Sequence, residues 1–292
     1  MLSGRFLARA VVMLGIGLGV GGTWIRAQEP AYFVTYSDVL EEPGSLEVAS
    51  QNLYASPKDA RPFYAETVEL EYGVTAWYTA EVYLQGQSTA HDSTIFTGFR
   101  VENRFHPLRG EHWVNPVIYV EYEDHSQADK SFLEVTDHQA IQDQEVTNGL
   151  LRKSVERAVE GKLILSSTFD GLNVSENVIA EKNLTNEPWE FGYAVGASRS
   201  LASAGSGRDC WYCRRRLAAG GEIFGGLGTR YDFGVKGTSM YAGPTLAYTA
   251  GRSMTVLLGP EFGLNANSAN VLWRAKVSYE FSQFGEMFRR LR

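Results

Sequence analysis

This sequence is short of the things that staple small folds or build helical ones. Only 2 cysteines occur in 292 residues, so neither a disulfide framework nor a four-cysteine metal site can organise the chain. Positive charge is not in surplus: 27 Lys and Arg stand against 34 Asp and Glu. The net of -7 removes the basic stripe that nucleic-acid phosphates require, so no nucleic acid is expected as a partner. No uncharged apolar run reaches the ~20 residues of a membrane-spanning helix. No sustained apolar repeat at helical spacing is present either, so a helical core has nothing to be built from. What remains abundant is glycine (30) and aromatic side chains (15 Tyr, 15 Phe), a mixture that suits strands and turns.

The first residues form a separate unit. "MLSGRFLARA" carries Arg5 and Arg9, "VVMLGIGLGVGG" is a short apolar run, and "TWIRAQEP" offers Ala27 just before a polar start. Residues 1-27 therefore read as a signal peptide, directing export out of the cytoplasm. Residues 28-44 then read as a periplasmic segment ahead of the folded domain.

From there on, apolar and polar residues alternate in runs of about ten to fourteen, the period of a strand with one apolar face. Strands are expected near 45-55, 63-72, 75-87, 93-105, 112-124, 156-169, 172-185, 188-201, 216-230, 238-250, 253-265 and 269-282. "VLWRAKVSYEF" illustrates the pattern. Val271, Trp273, Ala275, Val277, Tyr279 and Phe281 share one face, while Leu272, Arg274, Lys276, Ser278 and Glu280 share the other. Gly73-Val74 and Asp170-Gly171 are candidate hairpin turns. The connection 125-155 is long and acidic, and the chain ends in a tail, 283-292.

Strands in soluble sandwiches average about six residues, and these runs are roughly twice that. A tilted strand crossing a bilayer needs about 9-11 residues. In lipid every backbone polar group must be paired, so a spanning sheet has to close on itself. The expected fold is thus all-β, a transmembrane antiparallel up-and-down barrel of about 12 strands over 45-282, with 125-155 as a long extracellular loop. Trp113, Trp189, Tyr279 and Phe281 fall at strand ends, where the lipid-water boundary favours aromatic rings.

With its leader, its hairpin strands and a final "KVSYEF", the chain resembles bacterial outer-membrane β-barrel proteins. Stretches such as "FTGFRVENRF" and "NVIAEKNLTNEPWEFGYAVG" are similar to uncharacterised, acidobacterial-type barrels. The resemblance implies residence in the outer membrane of a Gram-negative cell, contact with its lipid, and insertion by the barrel assembly machinery. It carries no known active site. Members of this class usually stop at the terminal aromatic, whereas "SQFGEMFRRLR" follows here.

The face opposite the apolar one should line the lumen. It comprises Glu69, Glu71, Glu81, Arg100, Glu102, Arg104, Glu121, Glu123, Glu160, Lys162, Glu190, Glu222, Glu261, Arg274, Lys276 and Glu280. Acids outnumber bases, which suits a porin-like channel for small solutes with a preference for cations. Alternatively the charges pair across the bore and plug it, leaving a structural or adhesive barrel; an outer-membrane hydrolase is a third reading. In the seventh strand Glu176 and Lys182 share a face with Val174, Val178 and Ala180, so its facing is ambiguous.

Smaller motifs add little chemistry. Cys210 and Cys213 in "CWYC" lack the following His that haem attachment needs and a second ligand pair for zinc, so a small disulfide is expected. His91-Asp92-Ser93 are consecutive, and neighbours on a strand point opposite ways, so a solvated turn is favoured over a catalytic triad. "GGEIFGGLG" lacks the Lys-Ser/Thr of a phosphate loop. No metal site and no cofactor is expected.

Overall fold

The computed structural model describes residues 30-57, 61-131, 146-185, 187-201 and 216-289. Twelve strands follow one another: β1 (Leu46–Ala55), β2 (Phe63–Thr75), β3 (Tyr78–Thr89), β4 (Thr94–Phe105), β5 (Asn115–Ser126), β6 (Val155–Phe169), β7 (Leu172–Asn183), β8 (Trp189–Ser200), β9 (Leu217–Thr229), β10 (Met240–Ala250), β11 (Met254–Gly263) and β12 (Val271–Phe281). Two short helices, α1 (Asn148–Leu151) and α2 (Phe284–Arg289), lie in the long connection and the tail. Each strand pairs antiparallel with the next, and β12 returns to β1, giving a closed barrel. The seam is complete: pairing runs from Leu46 opposite Phe281 to Ala55 opposite Leu272. No edge is left to template another chain.

The expected strands all form, because an uninterrupted period of two leaves only one register that buries one face. One turn differs. β2 continues past Gly73 through a bulge to Thr75, so Ala76 and Trp77 make the turn instead of Gly73-Val74. At Asp170-Gly171 both residues have positive φ (47° and 75°), the geometry a two-residue hairpin requires.

Burial alternates along the strands. In β2 Tyr64, Glu66, Val68 and Leu70 are exposed, while Phe63, Ala65, Thr67, Glu69 and Glu71 are buried. The ambiguous β7 resolves the same way. Asn173, Ser175, Asn177, Ile179, Glu181 and Asn183 are buried, and Glu176 lies on the outer face beside Val174 and Val178. On the outside, aliphatic residues such as Leu84, Ile118, Val120, Leu163, Val178, Leu246 and Leu258 occupy the middle of the strands. Exposed aromatics gather toward the two ends. Tyr54, Tyr64, Phe96, Trp189 and Trp273 sit near one rim, Trp77 and Trp113 near the other.

The interior is not a purely polar lumen. Leu53, Ala55, Phe63, Ala65, Ile179, Ala194, Phe224, Tyr241 and Leu272 form a buried apolar cluster that includes Val34, with Phe33 packed against it. Those last two precede β1. Residues 28-44 were expected to sit apart in the periplasm; from Ala31 onward this segment instead lies inside the barrel, with Ala31, Tyr32, Val34, Thr35 and Ser37 buried. The apolar run Ala31–Tyr36 finds apolar and hydrogen-bonding partners on the inner wall that an exposed linker would lack.

Candidate functional site

The inner wall of β7 to β10 holds the segment by its backbone. Glu222, inward on β9, accepts hydrogen bonds from three consecutive amides: Phe33 N (2.8 Å), Val34 N (3.0 Å) and Thr35 N (2.9 Å). The Thr35 hydroxyl donates a fourth at 3.0 Å. A buried carboxylate needs this many donors to offset its lost hydration. Asn177 on β7 takes the next residue by both groups, accepting from Tyr36 N (2.7 Å) and donating to Tyr36 O (2.9 Å). Ala31 is held likewise: its N donates to Ser198 Oγ (2.8 Å), and Thr245 Oγ1 donates to its carbonyl. The Tyr32 hydroxyl donates to Asn173 Oδ1 at 2.9 Å.

Glycines shape this seat. A Cβ added to Gly196 would lie 2.5 Å from the Tyr32 ring, and one on Gly220 would lie 3.1 Å from the Ala31 carbonyl. Replacing Gly196 with valine should therefore unseat Tyr32 while leaving a β-competent wall. We expect the variant to fold but to become cleavable by chymotrypsin between residues 32 and 36. Digestion indistinguishable from that of the unmodified chain would contradict the seat.

The Tyr36 side chain crosses to the opposite wall. Its hydroxyl donates to Glu102 Oε2 (2.9 Å) and meets Tyr83 OH at 3.2 Å. Its ring lies 5.1 Å from that of Tyr119 and takes the Lys162 ammonium at 4.7 Å. Here the inner charges form a paired network. Arg104 contacts Glu71 (2.5 Å), Glu81 and Glu102 (3.1 Å), and also donates to the Val39 carbonyl. Arg100 contacts Glu121 (3.3 Å) and Glu123 (3.0 Å), Lys162 contacts Glu160 (2.7 Å), and Arg274 contacts Glu261 (2.6 Å). Lys276 contacts Glu69 (3.0 Å) and Glu47 (3.5 Å). Glu280 is buried too, while Glu190 and Lys276 are half-buried. Pairing across the bore was one expectation, but the partners that lie on different strands were not readable from sequence; only Arg104 with Glu102 and Lys162 with Glu160 share a strand among the contacts named. Asn177, Ser198 and Thr245 were not singled out, being ordinary polar residues until the segment is seated against them, nor was Glu47, which meets Lys276.

A second stretch also contacts the inner wall. Just after β5 the chain turns inward, and Asp129 accepts from Gln85 (2.7 Å) and Thr97 (3.1 Å) and sits 3.7 Å from Arg100. Lys130 is buried over the Phe63 ring; burial lowers its pKa, opposed by Asp92 and reinforced by Arg61. Asn148 of α1 donates its backbone N–H to Asp92 and bonds Ser93 through its side chain. Asp92 and Ser93 thus anchor the long connection, and the exposed His91 is bonded to neither in the described interactions. Between the segment and β1–β3 a polar cavity of about 90 Å³ remains, bounded by Gln51, Glu69, Glu71, Tyr83 and Lys276.

Two carboxylate triads, Glu47-Glu69-Glu71 and Glu121-Glu123-Glu160, are close enough to share a cation. Both already meet cationic side chains: Lys276 in the first, Arg100 and Lys162 in the second. Cys210 and Cys213, expected to form a disulfide, lie outside the described residues, as do residues 1-27, expected as a leader.

The closed twelve-stranded antiparallel barrel is the fold of bacterial outer-membrane β-barrels. Among solved structures the chain is similar to the KdgM porin (TM-score 0.52, 8% identity, covering 80% of this chain and 99% of that one). It is likewise similar to an outer membrane channel from Pseudomonas putida F1 (TM-score 0.51, 9% identity, covering 82% of this chain and 97% of that one). At such identities the likeness is one of fold. No protein-family model matches the chain, and no curated protein matches it in sequence.

Proposed function

We propose that this protein is an outer-membrane channel for small solutes, held closed by its own N-terminal segment. The observation that carries the reading is the seat of residues 31-36 across a barrel whose outer face is apolar and banded by aromatics. The neighbours in fold include a porin and a channel. Export through the 1-27 leader, insertion by the assembly machinery and a lipid-embedded outer face belong to the same proposal. Both chain ends, the tight turns after β2, β6 and β10, and the 201-216 connection would face the periplasm, and the 127-154 connection the exterior. With the segment withdrawn, the wall exposes Glu222 alongside an excess of acids over bases, which favours cations.

The test is conductance in planar bilayers. The mature chain should be nearly silent. A full-length variant with Val34→Pro and Tyr36→Ala loses an amide bonded to Glu222 and the ring that spans the bore. It should conduct, with cation preference. Silence from a variant whose heat-modifiable gel migration reports a folded barrel would remove the channel reading. The filled interior would then favour a plugged structural or adhesive barrel.

A further inference from the structure

We infer that the inner wall of β7 to β10 is a peptide-binding site, with residues 31-36 as its resident occupant. The solutes admitted when that occupant leaves would then be short peptides that can take the same bend. This rests on the channel reading for its consequence, but the site itself stands on the recognition chemistry. A peptide is distinguished from a sugar or a simple amine by offering an N–H and a C=O from the same residue, in fixed relation. The wall reads both at two positions. At Ala31, Ser198 Oγ accepts from the N–H and Thr245 Oγ1 donates to the carbonyl. At Tyr36, the single side chain of Asn177 does both, the pairing a neighbouring strand would make. Between them, Glu222 takes three successive amides with one carboxylate.

Side-chain selectivity is built in at two positions. Tyr32 enters the space left by Gly196, and its hydroxyl reaches Asn173. Phe33 lies over Gly259, whose added Cβ would come within 3.1 Å of the ring. Together with Gly259 of β11, the wall therefore suits a short segment of two consecutive aromatics that bends where its amides converge on Glu222. Because the donors and acceptors belong to the wall, they would serve any chain of that form. The resident occupant has the advantage of being tethered, which raises its effective concentration at the site to the order of millimolar. A ligand in trans must outcompete a tethered copy, so the site is best tested where that copy is weakened.

The probe is a fluorescein-labelled peptide with the sequence of residues 30-37, PAYFVTYS, added to the full-length Val34→Pro/Tyr36→Ala variant in detergent micelles. Fluorescence anisotropy should give saturable binding. Adding Glu222→Gln should weaken it at least tenfold. Asn177→Leu, which removes a wall group at a different place, should do the same. A scrambled peptide of equal composition should bind at least tenfold more weakly, and a neutral oligosaccharide should not displace the probe. Folding of every variant is checked by heat-modifiable migration. Equal binding of the scrambled peptide, displacement by the oligosaccharide, or no binding to a folded barrel would each overturn the inference. The readout is independent of current: a variant that conducts without binding peptide sinks this inference alone, and one that binds without conducting sinks the channel alone.

Discussion

Arg104→Met should destabilise the barrel by about 3–5 kcal/mol, the loss measured when one partner of a buried ion pair is removed. The guanidinium contacts Glu71 on β2, Glu81 on β3 and Glu102 on its own strand, and all three carboxylates are buried. Methionine retains much of the stem volume, so the loss comes from charge and not from a void. Three carboxylates would then face one another without their common cation. Urea unfolding of the micelle-refolded protein measures the effect. A triple variant that also carries Glu71→Gln and Glu81→Gln should regain most of the loss. A change below about 1 kcal/mol for Arg104→Met would mean that the network contributes as little as exposed ion pairs do.

Leu258→Arg should be nearly as costly for the opposite reason. Leu258 is exposed at the middle of β11, flanked by Leu246 on β10 and Ala275 on β12. An arginine at the midplane of a lipid-facing wall costs about 2–4 kcal/mol, falling toward zero at the interfaces. Exchanging the exposed Leu264, just past the end of β11, for arginine gives the matched control. Reversible unfolding from liposomes should separate the two by at least ~1 kcal/mol. Equal behaviour would mean that the band is not in lipid. The interior offers a further contrast, since Ser278 on β12 is buried on the inner face.

The barrel was legible because its strands obey a single rule for their whole length. β12 displays it: Val271, Trp273, Ala275, Val277 and Tyr279 alternate with residues that turn inward. Once lipid is the solvent, the apolar face has one place to go. The rule fails for inward positions such as Leu53, Phe63, Ile179 and Leu272, which are apolar and yet buried inside. It assumed that a lumen holds only water and charges, whereas here Val34 and Phe33 supply an apolar partner within it. The segment itself escaped because it belongs to no strand. "AYFVTY" did carry a signal: six residues without a charge, three of them aromatic, are poorly suited to exposure. Cross-strand ion-pair partners were beyond reach for a geometric cause. Period two specifies which way a residue points, but pairing across a barrel depends on the stagger between strands.

The seat of the N-terminal segment also fixes an order of events. Glu222, Ser198 and Thr245 follow the residues they hold by 187, 167 and 214 positions. Residues 31-36 therefore have no place to settle until β7 to β10 have been made and paired. Strands that follow in sequence must come first in structure, and such distant contacts are slow to form. Meanwhile β12 closes against β1, the strand to which the segment is joined. The segment is therefore either captured as the ring shuts or drawn in afterwards through the rim where β1 begins. The completed barrel encloses residues 31-36, and its last strand sets the moment of capture.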